Sequence, residues 1–221
     1  MPAHLVLDFD STIVTLESLD ELAAIALEGR SDRDEVLARI RSITDAGMDG
    51  SLPIDQSLSQ RLALLRFDRA MVGRLIARLH EAVSPSLRAH EQELRQGAGR
   101  VWVVTSGFHE WIDPVVEALG IHRSHVCANR LLWSADGRSL GLDPSSMLAS
   151  PRSKPRAVRA LGLAGRVIAV GDGITDWEIR DEGTADAFIA LTETVARAPV
   201  VARADHVAAD FGTVMQRWRE S

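Results

Sequence analysis

A chain of 221 residues, 46% hydrophobic and 25% charged, is sized for one substantial globular unit with a modest insertion. Its net charge of −6 gives no basic footprint for nucleic acid, and its single cysteine, Cys127, excludes an intrachain disulfide and a cysteine-rich metal site. No apolar run approaches the roughly 20 residues of a membrane span, and residues 1–9 reach Asp8 before a signal-peptide core can develop, so a reducing cytoplasm is the expected setting.

Ala3-His4-Leu5-Val6-Leu7 is a short apolar run ending in Asp8-Phe9-Asp10, the pattern of a buried strand whose carboxyl end carries acids. The periodicity then becomes helical. Leu19, Leu22, Ala23 and Ala26 form one stripe; Val36, Ile40 and Ile43 form a second, after an Asp32-to-Glu35 capping-box pattern. Pro53 suits a helix N1 position before Leu58, Leu62 and Leu65, and Asp68 opens a fourth stripe of Val72, Leu75, Ile76 and Leu79. From about Glu17 to His80 the chain reads as all-helical.

After Ser84-Pro85-Ser86 strands and helices alternate. Val101–Thr105, Arg166–Val170, Asp186–Leu191 and His206–Ala208 read as strands, each trailed by helix-compatible sequence. That alternation implies an α/β fold with a doubly wound parallel, Rossmann-like sheet, the helical block being inserted after the first strand.

In such sheets ligands bind at the carboxyl ends of strands near a topological switch point. Asp8 and Asp10 end one strand, Thr105 and Ser106 another, and Asp172 a third, with Asp176 one helical turn later. Each alone reads as a cap or turn former; the joint pattern suits phosphate-ester hydrolysis. A carboxylate can split that slow reaction into two steps through an acyl phosphate. An anionic nucleophile approaching an anionic phosphate needs a cation between them, and magnesium takes carboxylate oxygens of the kind Asp8 and Asp172 offer. Asp10, two residues beyond Asp8, points the same way in an extended segment and can serve as acid and then base, provided the site raises its pKa. Thr105 and Lys154 would complete a phosphate cradle.

These residues resemble the four motifs of the haloacid dehalogenase superfamily: Asp8-Phe9-Asp10-Ser11-Thr12, Thr105, Lys154, and Gly171-Asp172-Gly173-Ile174-Thr175-Asp176, in that order. The resemblance implies Asp8 as nucleophile, Asp10 as acid/base, and Mg2+ held by Asp8, Asp172 and the Asp10 backbone carbonyl with support from Asp176. It also implies a catalytic core of residues 1–16 and 81–221 with a helical cap of residues 17–80.

Within the superfamily the chain resembles the phosphoserine phosphatase family, through Asp8–Glu21, through Met48-Asp49-Gly50 with Ile54–Arg61, and through Ala128–Leu131. That resemblance implies Glu17 on a substrate ammonium, Arg61 on its carboxylate, and Thr105, Ser106, Lys154 and Thr175 around the phosphate. The expected partner is a small phosphate ester, O-phosphoserine in serine biosynthesis, for a monomer or homodimer. Related caps also serve other small metabolites, including one in methionine salvage, and some superfamily members are phosphotransferases. Two departures stand out. Ser106 replaces a glycine of the second motif, and Thr175 stands where many members carry asparagine. A signalling receiver domain is disfavoured by Asp10 and the helical block, and an inactive binding module by the complete set of ionisable groups. His109 is expected to be a solvated helix-start residue, Trp177 a packing residue, Cys127 an inert core thiol, and Met48 either loop packing or a substrate contact.

Overall fold

The computed structural model describes residues 3–221. Strand β1 (His4–Leu7) is the centre of a parallel sheet that also contains β2 (Val101–Phe108), β3 (Val126–Asn129), β6 (Val167–Gly171), β7 (Ala187–Leu191) and β8 (His206–Ala208), in the order β3-β2-β1-β6-β7-β8. Leu5 lies between Val101 and Ile168 in register, so β1 is hydrogen-bonded on both edges. The chain winds one way from β1 to β2 and β3, and the other way from β6 to β8. The carboxyl ends of β1, β2 and β6 therefore open into a shared crevice.

Burial on both faces explains why β1 reads as a continuous apolar run rather than an alternating one. Leu5 and Leu7 enter one apolar cluster, and Val6 enters the other, as a period of two demands. Leu7 is fully buried, and truncating it to alanine would cost about 2–5 kcal/mol. On the first face pack α7 (His109–Ala118) through Trp111, Ile112 and Val115, and α11 (Phe211–Arg219) through Phe211 and Trp218. On the second face pack α8 (Ser153–Ala160) through Ala157 and Val158, and α9 (Ile174–Asp181) through Ile179.

Between β1 and β2 the chain forms α1 (Ser18–Ala26), α2 (Arg33–Asp49), α3 (Ile54–Ala63) and α4 (Arg69–Glu81), then the short α5 (Pro85–Ala89) and α6 (Glu91–Gln96). The first four follow the sequence stripes, burying Leu19, Leu22, Ile40, Leu58, Leu75 and Leu79. Asp68 caps α4 by accepting from the Met71 amide at 2.9 Å. Asp32 does not cap α2. Its carboxylate is taken by the Arg30 guanidinium at 2.9 and 2.6 Å, a charge-assisted pair that outcompetes the neutral amide bond of a capping box. Pro53 occupies the N-cap of α3, one residue before the position expected for it. The helical block leaves and rejoins the sheet through two segments lying side by side. Val14 bridges Val83, Thr15 N donates to Ala82 O at 2.8 Å, and Ser84 N donates to Ile13 O at 2.9 Å.

Two features were not anticipated from the sequence. Strand β3 extends the sheet, and residues 131–142 form an antiparallel hairpin of β4 (Leu131–Trp133) and β5 (Ser139–Leu142). The hairpin leans on the helical block, with the Phe67 and Trp133 rings edge to face at 6.1 Å. Among the described residues no helix is long and apolar enough to cross a membrane.

Candidate active site

The crevice at the strand ends is roofed by α1, α2 and α3, which close it down to a small cavity of about 20 Å³. Asp8, Asp10, Glu17, Arg61, Thr105, Ser106, Lys154 and Thr175 all line it. Asp172, on the β6–α9 connection, and Asp176, in the first turn of α9, are both almost fully buried.

The floor is built from strand ends. Asp8 follows β1 directly, and its Oδ1 accepts from the Phe9 amide at 2.8 Å and from Lys154 Nζ at 3.0 Å. Lys154, in the first turn of α8, also reaches Asp176 Oδ1 at 2.7 Å. Asp176 in turn accepts from the Gly173 amide at 3.1 Å, which folds the β6–α9 turn onto the site. The glycines of that turn are required by space. A Cβ at Gly171 would lie 2.2 Å from Asp176 Oδ2, and one at Gly173 would press on Asp176 and Met48 at 3.3 Å.

One oxygen each from Asp8, Asp172 and Asp176 lies within 4.8 Å of the others, and all three side chains are buried. Asp172 Oδ1 is buried and unpartnered. An orphaned buried carboxylate oxygen beside two more carboxylates fits a hard divalent cation, which would satisfy all three. The side chains of the cluster oppose one another's ionisation. Burial, then Glu17, Asp8 and Asp176, push the Asp172 pKa well up; burial and Asp8 push Asp176 up to about 7. Burial opposes the charge on Lys154, but Asp176 and Asp8 outweigh it and hold the lysine firmly protonated.

Asp10 stands apart from the triad. It accepts from Ser18 N at 2.9 Å and Ser18 Oγ at 3.0 Å, and Trp111 Nε1 donates to that same hydroxyl at 3.0 Å. The relay fixes the carboxyl at the cavity wall. Burial, then Glu17 and Asp8, raise its pKa well above the usual carboxylate range, against the lowering effect of Ser18. A carboxyl tuned upward can donate a proton near neutrality.

Beside it, the Thr105 hydroxyl accepts from the Gly107 amide at 3.1 Å. A Cβ at Gly107, near the end of β2, would lie 2.7 Å from Ile112 Cδ1, so a side chain there would have to displace the tip of that buried isoleucine. Ser106 Oγ is buried without a partner, and the Ser106 carbonyl accepts from Asn129 Nδ2 at 2.8 Å. Serine in place of glycine therefore brings an unpartnered hydroxyl to the cavity wall.

The roof brings an acid, Glu17, and a guanidinium, Arg61, to the same cavity. Glu17, at the N-cap of α1, accepts from Ser11 Oγ at 2.8 Å. Burial raises its pKa, against Ser11 and Arg61. Arg61, on α3, is almost fully buried; Nε meets Ser57 O at 3.4 Å, and Nη1 meets Thr44 Oγ1 at 3.2 Å and Asp20 Oδ1 at 3.9 Å. Gly47 allows α2 and α3 this close approach, since a Cβ there would lie 2.6 Å from Ser57 Oγ.

A model of the haloacid dehalogenase-like hydrolases matches residues 5–179. The chain belongs to that family. It is 32% identical to the phosphoserine phosphatase of Mus musculus over 207 residues, covering 92% of this chain and 88% of the mouse protein. Its structure resembles a phosphoserine phosphohydrolase-like protein from Francisella tularensis, with a TM-score of 0.87 and 27% identity over 97% of this chain and 99% of that one. It also resembles a phosphoserine phosphatase solved as a phospho-aspartyl intermediate analogue, with a TM-score of 0.80 and 26% identity over 98% and 99% of the two chains. Membership together with these relatives makes the chain a phosphoric monoester hydrolase of a metal-dependent group.

Of the other residues singled out in the sequence, Met48 lines the cavity from α2, and Trp177 packs half-buried with Arg203 5.3 Å from its ring centroid. His109 departs from expectation. Rather than standing in solvent, it pairs through Nδ1 with Asp113 at 2.8 Å, one turn on along α7. Cys127 is half-buried on β3, where burial pushes its thiol pKa up. Three residues near the site gave no separate signal in the sequence: Ser18, Trp111 and Arg197. Arg197 donates from Nε to Asp172 Oδ2 at 3.1 Å.

Proposed function

We propose that the chain hydrolyses O-phosphoserine to serine and phosphate through a phospho-aspartate on Asp8, with Mg2+ as the cation. The observation that carries this reading is the one cavity with Asp8, Asp10, Thr105 and Lys154 on its floor and Glu17 and Arg61 on its roof. Floor chemistry handles any phosphate ester; the roof supplies an acid for an ammonium and a guanidinium fork for a carboxylate. The likeness to named phosphoserine phosphatases across nearly the whole chain supports the same substrate.

When bound to Asp8, Asp172 and Asp176, with the Asp10 carbonyl, Mg2+ would neutralise the acids and the phosphate oxygens. The remaining steps belong to this chain's residues. Lys154 and the Thr105 hydroxyl hold phosphate oxygens, with Ser106 and Thr175 at the cavity wall. An Asp8 carboxylate oxygen attacks phosphorus and the ester P–O bond breaks. The departing serine oxygen takes the Asp10 proton. Asp10, now a carboxylate, removes a proton from a water that attacks the phospho-aspartate, releasing phosphate and restoring Asp8. Residues 17–80 act as the cap over a core of residues 1–16 and 81–221. The paired linkers at Ile13–Thr15 and Ala82–Ser84 support that division, because motion there leaves the sheet intact.

The test is purified protein with magnesium against a panel of small phosphate esters, following phosphate release. O-phosphoserine should exceed esters lacking the ammonium or the carboxylate. A flat profile, a preference for a sugar phosphate, or transfer to a second acceptor would overturn the substrate.

A further inference from the structure

Arg197 lies in the loop after β7, at the N-cap of α10 (Ala198–Val201), in a polar stretch with no motif. Its guanidinium nevertheless joins three parts of the molecule. Nε reaches Asp172 Oδ2 at 3.1 Å on the cavity floor, Nη1 reaches Asp45 Oδ1 at 3.1 Å on α2, and Nη2 lies 3.9 Å from Glu17 Oε1 at the roof entrance. The arginine side chain is only 10% exposed, whereas that of Asp45 is 71% exposed. Asp45 is therefore a rim group that the guanidinium meets only while α2 is seated on the core.

The two oxygens of Asp172 are in different situations. Oδ2 is held by Arg197, and Oδ1 is buried with no partner. A bond to one carboxylate oxygen sets the rotation of the whole group, and so sets where the other oxygen points. A planar fork with several donors can hold Asp172 and Asp45 at once, which a lysine ammonium on a flexible stem does poorly. On α2 the residue beside Asp45 is Thr44, which contacts Arg61. One turn of helix thus touches both the roof guanidinium and the floor guanidinium.

We propose that Arg197 is a positioning residue that ties seating of the helical block to the cation site. Seated α2 presents Asp45, Asp45 and Glu17 fix the guanidinium, and the guanidinium fixes Asp172 with Oδ1 left for the cation. The inference rests on the reading that the acidic triad binds a cation, and it does not depend on which ester is hydrolysed. Linkage makes the coupling reciprocal: what seats α2 tightens the cation, and the cation steadies α2 by the same factor.

The experiment is calorimetric titration of the substrate-free full chain with magnesium, for wild type, Arg197→Ala, Arg197→Lys, Asp45→Ala and the Asp45→Ala/Arg197→Ala double variant. Arg197→Ala should weaken binding about 10- to 100-fold, the usual effect of losing a partner behind a metal ligand. Arg197→Lys should recover only part of it and serves as the folded control. Asp45→Ala should weaken binding about 3- to 10-fold in the wild-type background and have no further effect once Arg197 is gone. Hydrogen exchange gives the second readout: magnesium should slow amide exchange across α2 in the wild type and not in Arg197→Ala. An equal loss from Asp45→Ala in both backgrounds would mean a through-space charge effect and overturn the coupling. Tighter magnesium binding by Arg197→Ala would make the guanidinium a competitor and overturn it too. A wild type that binds magnesium but ignores O-phosphoserine would remove the substrate reading alone; a wild type that binds no magnesium would remove both.

Discussion

On the floor of the cavity neighbouring acids add to burial in raising carboxyl pKa values, whereas on the roof a guanidinium and two hydroxyls work against burial. Asp8 and Asp176 share Lys154 and Asp172 meets Arg197, yet the pKa values of Asp10, Asp172 and Asp176 are all driven up, by burial first and then by neighbouring acids, Glu17 and Asp8 for the first two and Asp8 for Asp176. On the roof Arg61 faces Asp20 and Glu17, and hydroxyls from Thr44 and Ser11 satisfy what remains. The contrast separates two tasks. A floor whose acids repel one another would gain from a cation and a phosphoryl group; a roof whose acids are met by a guanidinium and hydroxyls would, in the proposed reading, measure a ligand. Floor variants should therefore change chemistry for every substrate, and roof variants should change the choice among substrates.

The largest effect belongs to Asp8→Asn. Losing the nucleophile should reduce phosphate release by about four orders of magnitude or more, whichever ester is used. The substitution also removes one acid from a crowded cluster, so the fold should survive, with an unchanged far-ultraviolet circular dichroism spectrum. Phosphate release within tenfold of wild type from a folded variant would mean that the floor does not work through Asp8.

Next comes the repulsion among the floor acids. Asp10, Asp172 and Asp176 have folded pKa values above their unfolded ones, so below about pH 4 these groups cost the fold nothing. As pH rises the unfolded chain releases its protons first, and stability is lost progressively until the folded groups also titrate, near pH 7 for Asp176. In excess chelator, urea midpoints should therefore fall between pH 5 and pH 7.5. Magnesium should raise the midpoint most at the higher pH, by about 2.7 kcal/mol of stability at one hundred times its dissociation constant. A chelated protein equally stable at both pH values would show that the floor is not strained by its acids.

For the roof, Arg61→Ala should lower kcat/KM for O-phosphoserine by about 10²- to 10⁴-fold, because a site built to pair a charged group loses heavily without it. The same variant should lose less than about tenfold on an aryl phosphate that needs only floor residues. Equal losses on both would place Arg61 in the structural frame, holding Thr44 and Ser57.

The same division governs what could be read from the chain beforehand. Floor residues follow strand ends at fixed short offsets, so Asp8, Asp10, Thr105, Asp172 and Asp176 stood out from the alternation of strands and helices. Roof residues come from helix faces, where an arginine such as Arg61 reads equally as solvated, and only the family resemblance singled it out. Arg197 had no local signal at all. Its partners Asp172 and Asp45 lie 25 and 152 residues away in sequence. The β4–β5 hairpin escaped because Leu132 and Leu140 are exposed and its strands are short, which leaves little apolar alternation to detect. His109 was different: the spacing to Asp113 is the i,i+4 interval of a helix, so its pairing was available to a closer reading.

The smallest predicted effect sits where floor and roof meet. Ser18, the first residue of α1, places its hydroxyl on Asp10 while accepting from Trp111. Both its hydroxyl and its amide lower the Asp10 pKa, against burial and the neighbouring acids that raise it. Ser18→Ala removes the hydroxyl and keeps the amide. The Asp10 pKa should then climb by roughly one to two units, since a hydrogen bond to a charged group is worth about 1.5–3 kcal/mol and one pKa unit corresponds to about 1.4 kcal/mol. As the acid in the first step, Asp10 must be protonated, so the alkaline limb of the kcat/KM profile should move to higher pH by that amount. As the base in the second step it must be ionised, so the acid limb of phospho-enzyme breakdown should move the same way. Measuring both limbs for O-phosphoserine distinguishes tuning from damage, because a merely disordered Asp10 would lower both rates without moving either limb. A Trp111→Phe variant should shift the limbs less, as it touches Asp10 only through the serine hydroxyl. If instead Ser18→Ala moves the limbs to lower pH, the hydroxyl is not stabilising the carboxylate, and the assignment of Asp10 as the tuned acid fails with it.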